Sequence, residues 1–149
     1  MFQMKDEMQT AVKHNIRGGE GSPSFRYLFS AEQLGGRAEM MAVITLQPGE
    51  SVGVHPHETN GEAYVILEGA ATVTEDEQAR ELHVGDAEFC ADGHTHSIRN
   101  HTAAPTRFLP ALPPASSLPG VGVVAPFGHL NFRAAPVVVS PSGLATTAT

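Results

Sequence analysis

The chain is 149 residues long, carries a formal charge of −7 and contains a single cysteine, Cys90. That length fits one domain with a sizeable core. The acidic balance argues against nucleic acid as a partner, because phosphate binding needs a basic patch, and no apolar run approaches the roughly 20 residues of a membrane helix. One cysteine excludes an intrachain disulfide. Together with a polar N-terminus, Met1 to Thr10, that lacks the apolar core of a signal peptide, this predicts a cytoplasmic protein.

In chain order, Met4, Met8 and Val12 stand four residues apart and predict a short N-terminal helix. The loop Gly18 to Pro23 is glycine-rich but lacks the lysine and Ser/Thr of a phosphate cradle. Phe25 to Phe29 reads as a strand. Ser30 and Gln33 have the spacing of a capping box for one helical turn, stopped by Gly35-Gly36. Short strands then follow at regular intervals: Arg37 to Leu46, Val52 to His57, Glu62 to Glu68, Ala71 to Glu75, Ala79 to His83, Ala87 to Cys90, Ser97 to Asn100 and Thr106 to Leu109. Such spacing predicts an all-β sandwich or barrel, with the last strand closing it. The acidic run at Glu75-Asp76-Glu77 predicts a solvated hairpin tip.

From Pro110 onward the chain holds seven of its eleven prolines and one formally charged residue, Arg133. This stretch is too apolar for a typical disordered tail and too proline-rich for central strands. It predicts an extended arm whose valines, Phe127 and Phe132 pack on the barrel or on a neighbouring subunit. The expected organisation is an N-terminal arm over 1–24, a barrel over 25–111 and a proline-rich apolar C-terminal arm over 112–149.

The chemistry is concentrated between Gly49 and Asn100. Gly49, His55, His57, Glu62 and Gly69 fall in the frame G-x5-H-x-H-x4-E-x6-G, and Gly85, Gly93, His96 and Asn100 in G-x7-G-x2-H-x3-N. On a strand, His55 and His57 share one face, as do Glu62, Tyr64 and Ile66. Asn60-Gly61 predicts a hairpin that returns Glu62 to the histidines, and Asp92-Gly93 a later one that delivers His96. Any one of these histidines alone is as readily a surface residue as a ligand. Three imidazoles and a carboxylate at these intervals predict a mononuclear site for one divalent transition metal ion, with iron, manganese, nickel, copper or zinc all suited to mixed N/O donors. Tyr64 shares the inward parity of Glu62, and His94 that of His96, so both are candidate substrate-pocket residues. Cys90 is expected in the core and Asn100 at a strand end, bonded to backbone. With no lysine after Lys13, lysine-based covalent chemistry is not expected.

These two segments resemble the paired signature motifs of the cupin superfamily; the second departs from the family pattern only where Ala91 replaces a usual proline. The fifteen residues from Ala70 to Val84 are similar to the short inter-motif spacing of small cupins. The resemblance implies a single antiparallel jelly-roll barrel, with His55, His57, Glu62 and His96 as the metal ligands and a homodimer as the assembly. It also implies a small-molecule substrate or ligand. The expected function is a metal-dependent enzyme acting on a small oxygenated organic molecule, of dioxygenase or isomerase/lyase type. The alternative is a non-catalytic metal-dependent binding or sensor module. No catalytic residue beyond the metal ligands is assigned.

Overall fold

A computed structural model of the chain describes residues 1–113. Ten strands follow one another: β1 (Thr10–Val12), β2 (Ser24–Phe29), β3 (Met40–Leu46), β4 (Ser51–Pro56), β5 (Glu62–Glu68), β6 (Ala70–Glu75), β7 (Gln78–His83), β8 (Ala87–Cys90), β9 (Thr95–Arg99) and β10 (Thr106–Leu112). All pairings are antiparallel. One sheet runs β1-β2-β3-β10-β5-β8 and the other β4-β9-β6-β7. The all-β jelly roll expected from the sequence is present. Among the described residues no ladder joins the two sheets, so the barrel is two facing sheets rather than a closed ring.

Alternation builds the core. Along β5, Glu62, Tyr64 and Ile66 point inward and are buried, while Ala63 and Val65 are only partly covered. Ile44, Leu46, Tyr64, Ile66 and Phe108 of the larger sheet meet Val52, Ala71, Val73 and Ile98 of the smaller. Each fully buried aliphatic or aromatic side chain contributes about 1.5–3 kcal/mol.

Several expectations are corrected. The N-terminal helix is absent: Lys5–Glu7 form a single 3-10 turn, and Thr10–Val12 pair with β2 as a strand. Met4 and Val12 are 65% and 59% exposed, so the i, i+4 spacing has no apolar surface to bury against and nothing to hold a helix. The two motif turns are not hairpins. β4 pairs with β9, whereas β5 pairs with β10 and β8, so the chain crosses from one sheet to the other at Asn60-Gly61 and again at Asp92-Gly93. Tertiary pairing overrides the local turn signal, yet the crossing still sets Glu62 opposite the histidines. Finally, β10 does not close a ring. It lies between β3 and β5 and runs through Pro110 to Leu112, pairing with β3 at Thr106, Arg107, Phe108, Ala111 and Leu112 and with β5 from Arg107 to Ala111.

Other readings hold. Glu75 pairs with Gln78 across a two-residue tip at Asp76-Glu77. Ser30 and Gln33 exchange the two bonds of a capping box, at 2.8 and 3.1 Å, before Gly35 and Gly36 turn the chain at positive φ. The fully buried Asn100 amide donates to the Leu46 and Ala104 carbonyls. The segment from 114 on, with most of the expected C-terminal arm, lies outside the described residues.

Candidate metal centre

His55 and His57 lie on and just after β4, Glu62 opens β5, and His96 sits on β9, directly opposite His55 in the ladder. All four side chains are buried, and their four ligating atoms lie within 4.8 Å of one another. His96 Nε2 is 3.2 Å from His55 Nε2, 3.1 Å from His57 Nε2 and 3.1 Å from Glu62 Oε2. Glu62 Oε2 is 3.4 Å from His55 Nε2 and 3.5 Å from His57 Nε2.

The outer nitrogens explain this convergence. His55 Nδ1 faces the Gly53 carbonyl at 2.9 Å, His57 Nδ1 the Asn60 side-chain oxygen at 3.2 Å, and His96 Nδ1 the Glu88 carboxylate at 3.1 Å. A ring nitrogen facing an oxygen acceptor carries the proton, so each neutral ring turns its Nε2 lone pair toward the centre. Three lone pairs and a carboxylate meeting at these distances repel unless a cation stands among them. Metal–nitrogen bonds of about 2.1 Å would set neighbouring donors about 3.0 Å apart in an octahedron and about 3.4 Å apart in a tetrahedron. The observed spacings span that range, so the donor set fits a transition metal ion.

The electrostatics agree. Burial would raise the Glu62 pKa, but hydrogen bonds and charge from His55 and His96 hold it at about 2. Burial would lower that of His96, but Glu62 and Glu88 on either side raise it to about 9. Without a metal, the cluster retains a proton in its place.

Tyr64 is buried beside the cluster. Its ring stacks on His96 with centroids 4.4 Å apart and meets Phe108 edge-on at 4.9 Å. Burial and the charges of Glu62 and Glu88 keep the phenol protonated. The structure does not bring His94 to the cluster. It stands on the turn before β9, half exposed, and bonds to Asp76 at 2.8 Å, outside the cavity. Cys90 is fully buried at the end of β8; burial and nearby carboxylates push its thiol up to about 12, which makes it a core residue and a poor nucleophile.

Sequence reasoning missed Glu88, Asn60 and the Gly53 carbonyl, which orient the three rings. Glu88 had a signal that ran against the usual pattern. In Ala-Glu-Phe-Cys the aromatic is 58% exposed, while Glu88 and Cys90 share the inward face opposite Tyr64 and Glu62.

A cavity of about 290 Å³ opens on the cluster. His55, His57, Glu62 and Tyr64 line it together with Lys13 and Arg17 from the N-terminal segment. A larger groove of about 510 Å³ lies between Lys5, Arg26 and Arg107 and contains none of the cluster. No helix among the described residues is long and apolar enough to cross a membrane.

Comparison with known proteins fits this geometry. The cupin-domain family model matches residues 42–111. The oxalate-binding protein of Thermotoga maritima is 36% identical over 95 residues, which cover 64% of this chain and 78% of that protein. This chain belongs to the cupin family. The crystal structure of a predicted oxalate decarboxylase from Thermotoga maritima superposes on this cupin with a TM-score of 0.73 at 32% identity, over 76% of this chain and 98% of the other. A polyketide cyclase from Streptomyces resistomycificus shares the fold alone, at 19% identity and a TM-score of 0.62, over 76% and 78% of the two chains.

Proposed function

We propose that this cupin holds one divalent transition metal ion on His55, His57, Glu62 and His96 and uses it to bind and act on a small organic acid. The observation that carries this reading is the cavity. Two of the three histidines and the glutamate line it, so a ligand entering there reaches the donor cluster directly. A bound metal supplies Lewis-acid polarisation of a carboxylate or carbonyl oxygen. The chain's own residues do the rest. Glu88, Asn60 and the Gly53 carbonyl fix the ring orientations, and Tyr64 fills the core behind His96 and keeps its proton. The oxalate-binding relative supports a small carboxylate as the ligand class, and the crystal structure named as a predicted oxalate decarboxylase supports turnover by lyase chemistry.

The first test is elemental analysis of protein purified without chelator, beside a His55→Ala/His57→Ala variant. A near-stoichiometric transition metal in the wild type, lost in the variant, is expected. Calorimetry of oxalate and related acids with metal-loaded and metal-stripped protein follows, with carbon-13 NMR to detect products. Absence of metal after reconstitution would sink the reading. Stoichiometric binding without product across several metals would favour a non-catalytic binding module, which the relative's name also describes.

A further inference from the structure

We infer that Lys13 and Arg17 are specificity-determining residues that select a dianionic acid, with one carboxylate on the metal and the second on these two cations. The inference rests on the metal-dependent acid binding proposed above and names the ligand class more narrowly.

Both residues line the cavity that contains His55, His57 and Glu62, yet both precede residues 42–111, the stretch matched by the cupin family model. Neither side chain forms an ion pair among the described residues, whereas Arg99 pairs with Glu20 and Arg107 with Glu68. The Lys13 ammonium stands 4.6 Å from the Phe25 ring centre and 5.7 Å from that of Tyr27. Two aromatic faces hold it in place without neutralising it.

Arg17 is held through its backbone. It sits in a left-handed conformation, φ 53° and ψ 30°, and Asn15 two residues earlier does the same at φ 47°. Such conformations are uncommon for non-glycine residues and persist where the surroundings enforce them. Here they do. The Asn15 side chain donates to the Gly19 carbonyl at 3.1 Å, Ser51 N donates to the Glu20 carbonyl at 3.0 Å, and Glu20 N donates to Ser51 Oγ at 2.8 Å. The segment is thus fixed to the start of β4, the strand that leads into His55 and His57.

Charge fits a dianion. Lys13 and Arg17 bring two positive charges to the lining beside the donor cluster, and a divalent ion on that cluster would add two more, so the cavity favours a ligand with two carboxylates over one with a single carboxylate. Ile16, Phe25, Ile44 and Val52 offer apolar wall for a short carbon skeleton. The volume of about 290 Å³ is that of roughly ten waters, which exceeds the six heavy atoms of oxalate and accommodates a longer diacid.

The test is calorimetric titration of the metal-loaded full chain with chain-matched acids, malonate against propionate and succinate against butyrate. Variants Lys13→Met, Arg17→Met and, as a remote control, Arg80→Met are titrated in parallel, with metal content measured for each. The wild type is expected to bind the diacids at least tenfold more tightly. Each of the first two variants is expected to reduce that preference about tenfold at unchanged metal content, and Arg80→Met to leave it alone. Lys13→Arg should restore most of it. A wild type with equal affinity for both classes, or a diacid preference that survives both substitutions, overturns the inference and leaves the metal-dependent site standing. If the metal-loaded wild type binds no acid at all, both readings fall.

Discussion

Glu88 stands directly behind His96, its two carboxylate oxygens 3.1 and 3.2 Å from Nδ1, while Nε2 of the same ring faces Glu62 at 3.1 Å. The ring is thereby fixed in one tautomer and one orientation. Partners of this kind raise the basicity of a ligating histidine, and their loss costs about tenfold to a hundredfold in metal affinity. Glu88→Gln keeps the size and an acceptor oxygen but removes the charge. We expect the variant to fold normally and to lose metal to a chelator about tenfold more readily. Equal retention in a competition assay would show that His96 is oriented by packing alone.

His96 and Glu62 make opposite predictions for the metal-free and metal-loaded protein. With its pKa raised to about 9, His96 stabilises the metal-free fold fully below its ordinary 6.5, and that contribution is lost as pH rises through about 9. Glu62, held at about 2, contributes above its ordinary 4.5 and loses that contribution as pH falls through about 2. In the metal-free chain the pair is therefore most stabilising between pH 4.5 and 6.5. Metal binding needs the proton removed from His96, so its affinity should climb with pH, about tenfold per unit from pH 6.5 until the rise flattens near 9. Thermal unfolding with and without added metal at three pH values checks this. A metal-induced shift that does not grow with pH contradicts it.

How much of this was legible in the sequence divides along a physical line. The ligands were readable because strand parity and motif spacing are local properties. His55, His57 and Glu62 point inward wherever their strands pair. Pairing itself is not local, and Asn60-Gly61 illustrates the limit. It carries a strong hairpin signal, yet β4 and β5 part to different sheets, β4 to pair with β9 and β5 with β10 and β8. Glu88 was hidden by the rule that aromatics face the core, which Phe89 breaks. Lys13 and Arg17 could not be placed at all. Their position depends on how an irregular segment docks on β4, and no periodic pattern encodes that.

That docking turns on Gly53. A Cβ at this position would overlap the Arg17 carbonyl oxygen and lie 2.7 Å from Gly19 N, so backbone meets backbone where only glycine fits. Gly53→Ala should lift the N-terminal segment from β4 at a cost of about 1–3 kcal/mol. Since β4 is held by its ladder with β9, the barrel and the donor cluster should remain. We expect trypsin to cleave after Arg17 at least tenfold faster in the variant, with metal content retained. Unchanged proteolysis would mean that the segment is already loose in the wild type.

Tyr64 separates packing from chemistry. Its ring fills the space between His96 and Phe108 and is 2% exposed, so Tyr64→Ala removes support from a ligand and from the core together. Loss of a large buried aromatic costs about 3–5 kcal/mol. Tyr64→Phe keeps the stack and gives up only the hydroxyl beside Glu62, so it should cost no more than about 0.5–1.5 kcal/mol. Urea unfolding of both variants should show that difference. Metal affinity should stay within about threefold of wild type in Tyr64→Phe, because the ring stacked on His96 is kept. A Phe variant that folds normally but holds no metal would show that the hydroxyl, and not the ring, is what the site requires.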